Sequence, residues 1–589
     1  EYIDRDLTFR QSLWTQNPDG TGYQLYFGNT VRDVGTFWQA RPVPGRPDRV
    51  VATFAPHHGW PHGAIGLIDL RSGLEGPRGR GYWWITNEFP EIGDRAHEWS
   101  YRDPFPLTDS TFLCAYGGGG VNRFRLFLLD SSDRRRLVTE DPATGCYNPL
   151  PLRPVPVPPA VSPRALQAGD DCGTFLLADV YRGLGPAIAR GRVKYLRVME
   201  QIRKTEDLVN RAYDQSPVMS YGTYYAKRCW GTVPVEEDGS AHFRAPALRE
   251  IYFQVLDAEG RELQRMTSAA QVMPGETVSC VGCHEPRSQT PAGGPVPLAA
   301  RRPPRDLEKP PWGNDGVVDF PTVVQPVLDK YCVKCHSGGD PDGGYDLTGD
   351  KTRFFSMAYD NLLGRSRSYR QHDMATGEML PAEQARGKPL VHFYWLLRTP
   401  TAVNQPLWTG SHASRLLDYV DTDHAKEPIP LADRQRIYMW IDADVPYYGT
   451  YAHSHPNSPG RRDRFTDPAT GREFDWFARD FQGVYGRRCA SCHGPVPQPN
   501  DHGAIWDGRL AWINLSRPAL SPALTAHLAK AAGGRGLTKP QDGKPPPVFA
   551  DTADPDYQAM LKAIEAGKAL MLAAPEADMP GFRFARKEP

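Results

Sequence analysis

Through residue 228 the apolar residues fall in short, strand-length runs, "RVVATFAP", "AIGLIDL", "YWWITN" and "RFRLFLLD", divided by clusters of Gly, Pro and Asp. Runs of this length bounded by turn residues predict β-strands. Long helical periodicity is scarce here. In "LWTQNPDGTGYQLYFGN" two such runs flank N-P-D-G-T-G, which predicts a hairpin. The Pro-rich "NPLPLRPVPVPP", residues 148 to 159, predicts an extended connection.

The same spacing of strands and turns resembles the blades of TolB-type propellers. At roughly 40 to 50 residues per blade the region holds four or five, so a closed ring is expected to need sequence before residue 1. From Trp230 a second β unit begins, in which "IYFQVLD" and "RELQRM" flank an A-E-G turn and predict a hairpin. It leads into "VMPGETVSCVGCHEPRSQT". Residues 285 to 316 are rich in Pro and Gly and read as a flexible linker and domain boundary. Beyond them the period becomes helical. Val324, Val327, Leu328 and Tyr331 recur at that spacing up to one C-x-x-C-H, with Pro326 in the first turn. Phe474, Phe477, Phe481 and Tyr485 do so before another. The expected fold is multidomain: a β-propeller over 1–228, left incomplete by its blade count; a β-rich middle domain over 229–300; and a mainly α-helical, cytochrome c-like C-terminal region over 301–455 and 456–589.

At 589 residues several domains are expected. Lys+Arg and Asp+Glu both number 69, so no excess of basic charge is present to hold a phosphate backbone, and nucleic acid is an unfavourable partner. No run of 18 apolar residues predicts a membrane span, and "EYIDRDLTFRQ" lacks the basic and apolar regions of a secretory signal. The expectation is a mature soluble chain.

Six of the ten cysteines lie in three C-x-x-C-H units: Cys280, Cys283 and His284; Cys332, Cys335 and His336; Cys489, Cys492 and His493. Chance would supply roughly 0.005 such motifs from this composition. In c-type haem attachment the two thiols form thioethers to the haem vinyl groups and the adjacent His becomes an axial iron ligand. A zinc site draws a second ligand pair from elsewhere and needs no His directly after the second Cys. A redox dithiol is one motif at the head of a helix, not three scattered copies. Three covalently bound haem c groups are therefore expected, and covalent haem implies a periplasmic setting. There Cys114, Cys146, Cys172 and Cys229 are open to two disulfides or remain buried thiols. A helix running into the motif, as at the second and third, is the arrangement of small cytochrome c domains. The first motif, reached from a hairpin, is different.

A low-spin haem needs a second axial ligand, His or Met, whereas a catalytic haem keeps that face open. Met579 in "EADMPGF" follows an apolar helix-like stretch and is the candidate for the third haem, with an ordinary packing methionine as the plainer reading. His424, which precedes a helix bearing Ile437, Trp440 and Ile441, is the candidate for the second, ahead of His412. His57, His58 and His62 in "APHHGWPHGAIGL" are dense enough to cap a haem or bind a metal; turn histidines bonded to backbone are the plainer reading.

Five stretches, "FWQARPVPG", "ATFAPHHGWPHGAIGLIDL", "YRDPFPL", "QVMPGETVSCVGCHEPRSQTP" and "RIYMWIDADVPYYGTY", together make the chain similar to the alpha subunit of hydrazine synthase and its haem-bearing relatives. The resemblance implies a propeller, a middle domain with an active-site haem, and a C-terminal domain with an electron-transferring haem whose second ligand is a propeller His. His57, His58 and His62 thus compete with His424. In that family the first-motif His resembles a zinc ligand in role, and a Tyr four residues later ligates iron. Here that position is Ser288, and no Tyr lies between Cys283 and Tyr331. Either His284 is the ordinary iron ligand and catalytic centre, or a distant Tyr substitutes and His284 holds a zinc ion near the first haem. The third motif departs from the family's two-haem pattern. The function expected is redox conversion of a small nitrogen compound, of the nitric oxide or hydroxylamine class, at the first haem, with electron transfer through the others to a redox partner protein and with additional subunits. The alternatives are a non-catalytic electron carrier and a propeller binding module with zinc-clip motifs.

Overall fold

In the computed structural model the described residues are 12–582, outside 29–30, 32–33, 57–60, 74–80, 87–98, 119–123, 142, 155–156, 158–170, 204–224, 267, 284–293, 365–389, 394–405, 452–453, 456–457, 460–463, 468–469, 471, 495–509 and 539–547. They form a β-rich N-terminal part of several sheets, none closed into a barrel, and a C-terminal part in which helices predominate.

The N-terminal strands build a hairpin, β1 (Leu13–Thr15) with β2 (Gln24–Phe27), and two four-stranded antiparallel meanders. One contains β3 (Thr36–Val43), β4 (Arg46–Ala55), β5 (Ala64–Asp69) and β6 (Tyr82–Trp84). The other contains β7 (Trp99–Pro106), β8 (Thr111–Gly118), β9 (Phe124–Asp130) and β10 (Arg135–Thr139). Successive side chains of a strand point to opposite faces. On β4, Val50, Ala52 and Phe54 accordingly join the cluster under the hairpin, while Val51 joins Tyr101, Phe112 and Cys114 of the second meander. Burial on both faces explains why these strands read as continuous apolar runs. Gly66 on β5 is required for this stacking, because a Cβ there would lie 2.2 Å from the Phe54 ring. A four-stranded meander stacked on the next is the repeating unit of a propeller. Two four-stranded meanders occur among the described residues, where four or five blades are expected, and no ring of them is closed.

The middle part is a three-stranded sheet, ordered β14-β11-β17, and a five-stranded sheet, ordered β16-β15-β12-β13-β18. They comprise β11 (Cys172–Leu177), β12 (Tyr195–Gln201), β13 (Lys227–Pro234), β14 (Ala241–Pro246), β15 (Ile251–Leu256), β16 (Glu262–Arg265), β17 (Thr277–Cys280) and β18 (Val317–Val318). The predicted A-E-G hairpin is β15–β16. The stretch read as a flexible linker is docked in its described part: Glu308 and Thr232 exchange backbone hydrogen bonds of 2.8 and 2.9 Å, and the Arg305 amide donates to the His242 carbonyl at 2.9 Å. Prolines remove donors from such a segment, but its remaining amides still find sheet-edge carbonyls. One apolar cluster runs from Met199, Cys229 and Tyr252 of this sheet to Phe320, Phe355, Tyr359 and Trp440 beyond it. The last part packs around the helix Pro555–Ala573, whose Met560, Ile564 and Met571 meet Phe465, Phe477 and Phe481. Among the described residues no helix is long and apolar enough to cross a membrane.

All ten cysteines are free. Burial pushes the Cys114 thiol up to about 12 and that of Cys229 up to about 11, so both are packing thiols.

The middle sheet is joined to the helix Leu431–Asp442 by a fully buried polar cluster. Arg197 on β12 donates to Asp442 at 3.2 Å, Gln254 at 3.0 Å and the Gly260 carbonyl at 2.7 Å. Arg265 on β16 donates to Glu262 at 2.8 Å, Asp444 at 2.6 Å and the Asp442 carbonyl at 2.9 Å. Two guanidinium cations thus face three carboxyls. Burial, opposed by Arg265 and reinforced by Asp442 and Asp444, pushes the Glu262 carboxyl up to about 8, and a proton on Glu262 balances the charge. Removing one partner from a buried pair leaves the other charge uncompensated. Arg265→Ala should therefore cost about 3–5 kcal/mol in chemical denaturation. Because the folded pKa of Glu262 lies above its ordinary 4.5, its contribution to stability is complete below 4.5 and is lost as pH rises towards about 8. Glu262→Gln should flatten the dependence of the denaturation midpoint on pH across that window; an unchanged slope would place the titration elsewhere.

Candidate functional site

At the second and third motifs a helix is carried straight into the cysteines. Gln325–Tyr331 follows a wider helical turn, Phe320–Val324, whose start is capped by Asp319 accepting from the Thr322 amide at 2.7 Å. Pro326 sits in the first turn, as expected. Gly483–Arg488 follows Asp475–Phe477 through a similar turn. The backbone then repeats itself. The amides of Cys335 and His336 donate to the Cys332 carbonyl at 3.1 and 3.0 Å, and those of Cys492 and His493 donate to the Cys489 carbonyl at the same distances. In each case one turn holds two thiols and an imidazole.

The first motif is built differently. Cys280 ends β17, which runs parallel to β11, and its carbonyl accepts from Ala178 at 2.9 Å. The Cys283 amide donates to the Arg182 carbonyl at 3.0 Å, and a Cβ on Gly282 would lie 2.5 Å from that same oxygen. The motif is a strand end pinned to residues 178–182, not a helical turn. Both cysteines pack against the cluster of Phe175, Val180 and Phe243. His284 and Ser288 lie outside the described residues, as do His57 and His58.

A cavity of about 500 Å³ opens beside the second motif. Cys332, Cys335 and His336 line one side; Leu416, Tyr419 and His424 line the other. The His336 and His424 ring centres are 6.2 Å apart, and Tyr419 packs edge-on against His424 at 4.9 Å. The Nδ1 atom of His336 is buried without a hydrogen-bond partner. A second cavity, of about 280 Å³, lies beside the third motif between Cys489, His493, Trp512 and His527. Here the ring centres of His493 and His527 are 5.6 Å apart. Two imidazoles on opposite sides of one metal ion, each nitrogen about 2 Å from it, would put their centres roughly 6 Å apart. The ring separations of both pairs are of that size.

One loop walls both spaces. Asp342, Gly343, Tyr345 and Leu347 face the larger cavity, while Gly338, Gly339, Pro341 and Gly344 face the smaller. The loop folds back on its own motif, the Leu347 amide donating to the His336 carbonyl at 2.8 Å. Successive glycines at 343 and 344 take positive φ, 60° and 74°, which turns the chain tightly enough to present neighbours to opposite sides.

Electrostatics separates the possible chemistries. Burial pushes the thiols of Cys332 and Cys489 up to about 11 and that of Cys283 up to about 12. Redox dithiols are tuned the other way, by cations or a helix N-terminus. Among the described residues no group of three or more His, Cys, Asp or Glu is placed to hold a metal ion.

Residues 191–285 match the family model of the hydrazine synthase alpha subunit middle domain, and the first motif is the closing segment of that match. Over this segment the chain is similar to the alpha subunit of hydrazine synthase. Among solved structures, Kuenenia stuttgartiensis hydrazine synthase is similar to it with a TM-score of 0.52 at 17% identity, over 75% of this chain and 66% of that one. That likeness is one of fold, and the chain spans about two-thirds of its length. No match is found among curated proteins.

The structure distributes the remaining predicted ligands unevenly. His424 faces the second motif. His412 instead makes a 3.0 Å contact with Asp257, whose carboxyl, raised by burial, is brought down to about 2 by His412 and Arg261. His62 bonds Ser100 through Nδ1 and packs on Phe124; burial, then Arg102, holds its pKa below the ordinary value. It lines neither cavity. Met579 packs against the C-terminal cluster and does not line the smaller cavity. The residue opposite His493 is His527, whose pKa is held down by burial and by His493. Its sequence signal is modest. Of the two histidines after the third motif, His527 in "LTAHLAK" stands among apolar residues, whereas His502 follows Asn-Asp.

Proposed function

We propose that this chain is a periplasmic c-type cytochrome carrying haem c at all three motifs. The first haem performs redox chemistry on a small nitrogen compound of the nitric oxide or hydroxylamine class, and the second and third transfer electrons to a redox partner protein. The observation that carries the reading is the difference in setting. The first motif closes the segment matched to the hydrazine synthase alpha middle domain and stands on a strand end, while the others sit on helical turns facing a second histidine.

Haem iron supplies one-electron chemistry and, where one axial face is free, a coordination position for a small ligand. The chain's part is positional. The parallel pairing of β11 with β17 fixes Cys280, and Arg182 fixes Cys283, so both thiols are presented from a rigid sheet edge. His284 takes the iron, or a zinc ion beside it, and residues 1–228 form the propeller of this assembly. His336 and His424 close both faces of the larger cavity. A pure electron carrier is the second reading, favoured by the paired histidines at both described cavities; turnover of hydroxylamine or nitric oxide by the holoprotein would exclude it.

Intact mass of the purified chain should exceed the polypeptide by three haem increments that survive denaturation, and replacing both Cys332 and Cys335 by Ala should remove one of them. Metal lost on denaturation would instead favour zinc clips. The electronic spectrum of the holoprotein should contain a high-spin component from the first haem, and His424→Ala should add a second. Three low-spin haems with no high-spin component would sink the catalytic reading.

A further inference from the structure

The loop after the short helix Pro522–Thr525 places His527 across the smaller cavity from the third motif. We propose that His527 is the second axial ligand of a haem c held by Cys489, Cys492 and His493, which makes the third centre a bis-histidine haem. This rests on the haem reading of the third motif.

Three observations on the chain's own residues support it. The ring separation of 5.6 Å suits two imidazoles flanking one iron. The Nδ1 atom of His527 is 3.0 Å from the Thr538 hydroxyl. With Nδ1–H donating to that oxygen, the lone pair is on Nε2, and a hydrogen bond to the far ring nitrogen is how a metal-bound histidine is usually oriented. The backbone around the ring is also held on both sides. The Arg535 amide donates to the Thr525 carbonyl at 2.8 Å, that of Leu537 donates to Ala526 at 2.8 Å, and that of Gly536 donates to Leu528 at 3.0 Å. The loop is anchored to the preceding module by Arg535 donating to Asp340 at 2.7 Å. Two methionines compete on sequence grounds. Met579 packs away from the cavity. Met560 lines it, but from the buried face of the helix Pro555–Ala573, where it belongs to the apolar cluster of Phe481 and Leu524.

The test is near-infrared magnetic circular dichroism and low-temperature electron paramagnetic resonance of the full-length holoprotein, with intact mass recorded on every sample. The wild type should lack the sulfur-to-iron charge-transfer band of methionine ligation. His527→Ala should retain all three haem masses and convert one low-spin centre to high-spin, which added imidazole should reverse. His527→Met should introduce the sulfur band and raise one reduction potential, as Met ligation does relative to His; it also decides the matter if the Ala variant does not accumulate. A sulfur band in the wild type that is abolished by Met579→Leu or Met560→Leu would overturn the assignment, as would an unchanged low-spin count in His527→Ala. Absence of a haem mass on the peptide containing Cys489 and Cys492 would overturn the reading beneath it, a distinguishable failure.

Discussion

Two buried guanidinium groups and three carboxyls hold the joint on which the rest of the molecule hangs. Arg197 and Arg265 tie strands β12 and β16 to Asp442 and Asp444 at the end of one helix. Charges so far from water persist only when paired and hydrogen-bonded, which makes the joint specific in geometry rather than a source of surplus stability. The same helix reaches the second motif. Arg436 donates to the carbonyls of Val323 and Thr322 at 2.8 and 2.7 Å, and Asp433 accepts from Tyr331 at 2.8 Å, one residue before Cys332. The five-stranded middle sheet and the helix that presents the second motif are thereby parts of one framework.

From there the framework continues into the third module. Asn514 donates to Asp350 at 2.7 Å, the Leu515 amide donates to the Lys351 carbonyl at 2.7 Å, and Lys351 pairs with Asp578 at 2.9 Å. These contacts bracket the loop shared by the two cavities. The wall between the two cavities is thin because its glycine-rich turn has no side chains to thicken it. The first motif sits apart from this arrangement, on a sheet edge.

Much of this was legible in one dimension. The hairpin β15–β16, the strands β4, β5 and β9, and the helices entering both later motifs follow from apolar period and turn residues, since each is a local consequence of side-chain alternation or of helical spacing. The Pro- and Gly-rich stretch after the first motif was less readable. Its composition spoke for flexibility, but its described part is docked on β13 by backbone hydrogen bonds, and backbone groups carry no signature in residue type. The M-P context of Met579 makes it a candidate beside the third motif, but it packs in the C-terminal cluster, and the residue that lines the cavity with His493 is His527.

The sequence by itself determined where the three C-x-x-C-H motifs lie, because two thiols and an imidazole within five residues are a local constellation that needs no fold to be recognised. It also determined which motifs end helices and which follows a hairpin. Only the tertiary structure decided what faces each motif. His336 and His424 are 88 positions apart in the chain, and His493 and His527 are 34 apart. Such pairs are brought together by burial of apolar surface and by the charged joint described above, both of which sum over residues distant in sequence, so no local pattern encodes the meeting of the two rings.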